Sequence, residues 1–280
     1  MNICIVGMGL IGGSFAKAIK ENTDYKIFGY DLNDDVLKKA ENDGIIDYKF
    51  SDDFDKIDVF VICIYPGDTV KFIEKNKDKF KKGCIVSDFC GIKSLIANKV
   101  DKTLFDRGVY YVGCHPMAGK EVSGYENSDK NLYKNASFII SKTIFTNENA
   151  IAVMEDIAKK INFAKITYTD PESHDKIIAL TSQMAHIVSS AYIKSPTAKI
   201  SNGFCGGSFE DMTRVAFLNE QMWSELFLEN KDKLLYEVDL LISNLKNYRD
   251  AILNDNRQKL KELLVESKNI KDNFNKEKGQ

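Results

Sequence analysis

The chain lacks a charge excess of either sign. It also lacks long hydrophobic runs, paired cysteines and repeats. Lysine and arginine number 39 against 41 aspartates and glutamates, a formal net charge of -2 over 280 residues. With no basic field, charge alone cannot hold nucleic acid or an anionic membrane surface. No stretch approaches the ~18 apolar residues that a membrane helix needs. The opening "MNICIVGMGLIGGSF" has no basic n-region and its apolar run is broken by glycines. It is not read as a signal peptide, and a cytoplasmic location is expected. Six cysteines occur without a C-x-x-C pair. Cys4, Cys63 and Cys84 lie in apolar runs and read as small buried hydrophobes, so neither a metal site nor a disulfide framework is expected. The length suits one large or two medium domains.

What is present is an alternation. Apolar strand-like runs at 2–7, 25–31, 58–65, 83–88, 109–115, 136–142 and 164–170 are separated by helical patterns. Continuous apolar strands between helices predict a parallel sheet covered on both faces, a doubly wound α/β domain over 1–168. The first turn is its sharpest feature. Gly7, Gly9 and Gly12 form G-x-G-x-x-G between strand and helix. Gly7 permits the tight turn, Gly9 admits a pyrophosphate close to the backbone, and Gly12 lets helix and strand pack. The helix start at Leu10 and Ile11 then offers N–H groups to phosphate. Asp31 ends the second strand, where a carboxylate accepts from ribose hydroxyls and repels a 2′-phosphate. NAD is therefore expected rather than NADP.

After Pro171 the strand pattern stops, and a helical domain is expected over 169–280. Residues 172–193 have helical spacing, 204–216 break at glycines before a short helix, and the chain from Asn219 onward is helical in pattern. Leu241, Leu245, Tyr248 and Ile252 form a heptad-like stripe, which suits either packing on the same domain or a dimer seam. Only three histidines occur, and His115 stands in "GCHPMAGKEVSG" (113–124), delivered by the strand "VYYVGC" to the carboxyl edge of the sheet. Ordinary turn chemistry is the bland reading. Ligands bind α/β sheets at that edge, which favours a catalytic loop.

With these residues in place the sequence resembles the prephenate, arogenate and cyclohexadienyl dehydrogenase family over nearly its whole length. The likeness rests on "VGMGLIGGS", "SDFCGIK" (87–93), "GCHPMAGKEVSG", "DPESHD" (170–175) and "GGSFEDMTRVA" (206–216), in that order. It implies oxidation of a ring hydroxyl with loss of the ring carboxylate, turning prephenate into 4-hydroxyphenylpyruvate. Arogenate, giving tyrosine, is the alternative substrate. The likeness assigns His115 to draw away the hydroxyl proton, a task suited to neutral imidazole. It assigns Arg214 to a substrate carboxylate, which a guanidinium grips with two parallel bonds. His186 is implied at the substrate, with a core histidine as the competing reading. Glu121 and Ser123 are candidates to position the substrate side chain or gate entry, with a plain surface turn as the competing reading. Asp88 and Lys93 are candidates to support the cofactor, with a helix start as the competing reading for Lys93. His174 reads as a cap or pin at the domain junction. A homodimer through the helical domain is implied as well. Some members carry an additional chorismate mutase or ACT domain, for which this length leaves no room.

One departure stands out. Many members have serine where this chain has Gly91, and its hydroxyl is associated with orienting the catalytic histidine. Here a water, Cys90, Ser94 or backbone is left to orient His115. Two other readings compete. A β-hydroxyacid-type dehydrogenase requires a lysine base, for which Lys176 and Lys194 are available. A non-catalytic NAD-sensing protein would be indifferent to loss of His115.

Overall fold

The computed structural model describes residues 1–277. It falls into two compact units, Met1–Lys231 and Asp232–Gln280. The first holds an eight-stranded sheet in the order β3-β2-β1-β4-β5-β6-β7-β8. The strands are β1 Asn2–Val6, β2 Lys26–Tyr30, β3 Tyr48–Lys49, β4 Val59–Ile62, β5 Ile85–Asp88, β6 Tyr110–Pro116, β7 Ser137–Ser141 and β8 Lys165–Thr169. Helices α1 Leu10–Asn22, α2 Asp34–Asn42, α3 Pro66–Asn76, α4 Ser94–Phe105 and α5 Glu148–Lys160 connect them.

Burial on both faces explains the unbroken apolar strands. Successive side chains point to opposite faces of a sheet. Ile3, Ile5, Val59 and Val61 accordingly join one core with Phe15 and Ile19 of α1. Cys4, Val6, Phe60 and Ile62 join the other with Ile96 and Val100 of α4. Each such valine, isoleucine or phenylalanine contributes roughly 1.5–3 kcal/mol by leaving water.

The expectation of an all-parallel sheet needs one correction. β7 runs antiparallel to β6, pairing Ile139 with His115, and β8 is parallel to β7. Parallel neighbours need a crossover, usually a full helix. The 117–136 connection contains only the 3-10 turn Tyr125–Asn127, so the chain doubles back on the same edge.

Beyond the sheet, the first unit continues through α6 Pro171–Ile178, a π-helical turn at Ala179–Gln183, α7 Met184–Tyr192, α8 Gly207–Thr213 and α9 Glu220–Glu229. Asp170 starts α6 as a side-chain cap on the Ser173 N–H, with Pro171 at the first helical position. The second unit consists of α10, which begins at Lys231 and runs to Leu253, and α11 Arg257–Glu277. Tyr248 of α10 donates to the Leu263 carbonyl of α11 at 3.3 Å. Leu245 and Ile252 of the heptad-like stripe are exposed. No helix among the described residues is long and apolar enough to cross a membrane.

Candidate active site

The glycine turn has the shape its chemistry requires. Gly7 adopts φ +91°, and a Cβ there would meet Ile64 at 2.6 Å and the Cys63 carbonyl at 2.8 Å. A Cβ on Gly12 would lie 1.9 Å from the Gly7 oxygen, whereas Gly9 faces open space. The start of α1 has no side-chain cap and no acidic residue in its first turn. Its backbone N–H groups, Leu10 and Ile11 among them, are not taken by a side chain. A dinucleotide diphosphate fits this cradle. Asp31 accepts from the Met8 N–H at 2.8 Å and from the Asn33 N–H at 2.9 Å, one on each oxygen. A carboxylate has about four lone-pair sites, so Asp31 keeps capacity for ribose hydroxyls.

His115 sits next to the end of β6, half-buried. Its Nδ1 lies 2.9 Å from Nε2 of His174, whose own Nδ1 lies 2.7 Å from Oδ1 of Asp175. His174 and Asp175 are both buried on α6. Burial pushes His115 well below the usual histidine range, and His174 and Lys93 add to that push against Asp175. The ring is thus neutral at neutral pH and able to accept a proton. Burial pushes Asp175 up. The His174 N–H and the backbone N–H groups of Ser94 and Lys93 outweigh it and hold the carboxyl below its usual value.

Asp88 and Lys93 were expected to support the cofactor, and Lys93 stands at the N-terminal end of α4. Both are fully buried and form an ion pair with each other. Tyr111 also donates to Asp88, at 2.6 Å. Neither side chain reaches the surface, although the Lys93 ammonium has further N–H donors beyond the one given to Asp88. The pair lies near enough to His115 for the Lys93 charge to add to the lowering of its pKa.

His174, rather than a residue near Gly91, lies within hydrogen-bond distance of His115 Nδ1. Ser94 Oγ donates to the Pro171 carbonyl at 3.1 Å and Cys90 Sγ to the Ile64 carbonyl at 3.3 Å, so neither orients His115. A Cβ on Gly91 would meet only Leu226 carbons, at 3.5 and 3.7 Å. Gly91→Ser is therefore expected to fold normally and leave kcat within severalfold. A gain on the order of a hundredfold in a steady-state assay would show that His174 does not supply the orientation.

A second cluster forms where α7, α8 and α9 meet the 117–124 loop. Arg214 pairs with Glu121, both exposed. His186 Nδ1 lies 3.0 Å from the Val215 carbonyl, and its ring packs on Trp223 with centroids 3.7 Å apart and planes tilted by 40°. Burial lowers the His186 pKa, against the Val215 carbonyl and Glu121. Ser123 is not brought in: it is exposed, and its carbonyl closes a turn with Asn127 at 2.6 Å. Lys176 and Lys194, the alternative bases, are both exposed. A cleft of about 620 Å³ beside Lys17, Lys120 and Asp129 is lined by none of His115, His174, Glu121, His186, Arg214 or Trp223. Its lysines already have partners, Lys120 on Asp129 and Lys17 on the Ser128 carbonyl.

Sequence reading missed Asp175 and Trp223 and underrated His174. The one signal for the first was an acid next to a histidine in "DPESHD". For Trp223 it was a lone tryptophan on a helix.

Comparison with known proteins gives a consistent picture. The family model described as the nucleotide-binding domain of prephenate dehydrogenase matches residues 15–168. The model of its dimerization domain matches 170–266. The prephenate dehydrogenase of Bacillus subtilis is 28% identical over 96% of this chain and 75% of its own length. The cyclohexadienyl dehydrogenase of Zymomonas mobilis is 29% identical over 95% of this chain and 93% of its own. The crystal structure of A. aeolicus prephenate dehydrogenase in complex with hydroxyphenyl propionate and NAD+ superposes with a TM-score of 0.86. It is 28% identical and covers 98% of both chains.

Proposed function

The chain belongs to the prephenate dehydrogenase family, and from that premise we propose that His115 is the base of an NAD-dependent oxidative decarboxylation of prephenate to 4-hydroxyphenylpyruvate. The observation that carries the assignment is a neutral histidine on the sheet edge, held by His174 at 2.9 Å. When bound, NAD supplies the hydride acceptor. The glycine turn, the start of α1 and Asp31 would hold its diphosphate and ribose. His115 accepts the substrate's hydroxyl proton, which favours the carbonyl-like oxygen that forms. The same proton returns to that oxygen as carbon dioxide leaves and the ring becomes aromatic. Arg214 takes a substrate carboxylate and Glu121 gives it up, so their pair opens as substrate enters. Ser123 keeps a place in the proposal only as part of the loop that carries Glu121.

We divide the chain at 168/169 into a dinucleotide-binding domain and a helical domain for substrate and dimerisation. Support for a homodimer comes from the match to a dimerization domain and from the exposed Leu245, Ile252, Leu264 and Ile270. A cytoplasmic setting agrees with six free cysteines.

A second reading has one observation behind it. Because His186 directs Nδ1 at a carbonyl, its neutral ring leaves Nε2 as an acceptor. An acceptor suits the ammonium of arogenate better than the ketone of prephenate. Initial rates with each substrate, and with NAD and NADP, decide. Faster turnover of prephenate with NAD is expected. Turnover of arogenate alone would transfer the assignment to the second reading.

A further inference from the structure

Two of the three histidines form, with one aspartate, a line of hydrogen bonds running inward from the site. The chemistry of the groups fixes the direction of every bond in it. A carboxylate only accepts. Asp175 accepts the N–H of Lys93 at 2.7 Å and of Ser94 at 2.8 Å, which anchors it at the start of α4. The atom 2.7 Å away, Nδ1 of His174, must therefore carry a hydrogen. A neutral imidazole has only one, so Nε2 of His174 is a lone pair. Nδ1 of His115 must then donate to it across 2.9 Å. The lone pair of His115 is left on Nε2, to which no group among the described residues donates.

We propose that His174 and Asp175 are positioning residues that lock His115 in its Nδ1–H tautomer, making Nε2 the nitrogen that takes the substrate's hydroxyl proton. This rests on the function proposed above, but the tautomer itself does not depend on turnover. The arrangement serves both halves of the proton's path. Before transfer it fixes which nitrogen is bare and how the ring stands. After transfer the imidazolium of His115 keeps its bond to His174, whose far N–H faces the Asp175 charge. It also accounts for Gly91, since His115 Nδ1 already has a partner and needs no serine.

The line works only while His174 is neutral. An imidazolium there would donate from Nε2 and force the hydrogen of His115 onto the nitrogen that must be bare. Burial holds His174 below the usual histidine range against the upward pull of Asp175, and Lys93 strengthens the push. The charged groups around the line are Asp175 on α6, Lys93 at the start of α4 and Asp88 at the end of β5.

Nuclear magnetic resonance of the full chain labelled with ¹⁵N-histidine reads the tautomers directly, since only three histidines contribute. Wild type is expected to show Nδ1–H for His115 and His174. In His174→Phe, His115 should lose that single tautomer. Its kcat should fall about 10- to 100-fold, with KM and NAD affinity within about threefold. His174→Gln, whose amide oxygen still accepts from His115, should keep most of kcat. An Nε2–H tautomer at His115 in wild type overturns the proposal, whatever the activity. So does kcat of His174→Phe within about threefold of wild type, or equal loss in the Phe and Gln variants. A protein with the expected tautomers but no turnover of prephenate would instead count against the proposed function.

Discussion

His115→Asn is expected to lower kcat by about 10²- to 10⁴-fold, the usual range for loss of a general base. NAD affinity should stay within about threefold, because the glycine turn and Asp31 do not involve β6. Asparagine isolates the effect well. Its amide N–H can still reach toward Nε2 of His174, so the buried line keeps its end partner. What disappears is the bare ring nitrogen. Steady-state NADH formation, with a separate NAD titration, checks both halves. Retained turnover would remove His115 from the mechanism.

The second large effect falls on binding. Arg214→Ala should raise KM for the substrate about 30- to 150-fold, or roughly 2–3 kcal/mol, with a smaller change in kcat. The estimate sits low in the range for a lost charge pair for two reasons. Arg214 is well exposed, and it is already paired with Glu121, a bond that substrate must displace. Arg214→Lys should restore only part of the loss, since an ammonium cannot make the parallel double bond. An unchanged KM in the alanine variant would make the arginine structural.

The sequence showed some of this plainly and some of it not at all. Gly7 and Gly12 were legible because their roles are steric and local: a positive φ at one, a 1.9 Å approach at the other. The two-faced core was legible because period-two burial on both faces leaves an unbroken apolar run. The reversal of β7 was not, since strand composition carries no direction. Only the missing crossover helix in 117–136 sets it. The burial of Asp88 and Lys93 was not legible, because only their pairing across five residues permits it. His174 and Asp175 were hidden for a different reason. Their local context is that of a helix start, which Asp170 does cap, whereas their partners Lys93 and His115 are far away in sequence.

The most direct test is NADH formation by the purified full-length protein with NAD and prephenate, with carbon dioxide and 4-hydroxyphenylpyruvate measured in the same samples. The account predicts all three in equal amounts. Measurable NAD binding with no NADH from either prephenate or arogenate would contradict it, and would turn attention to the non-catalytic reading of the same fold.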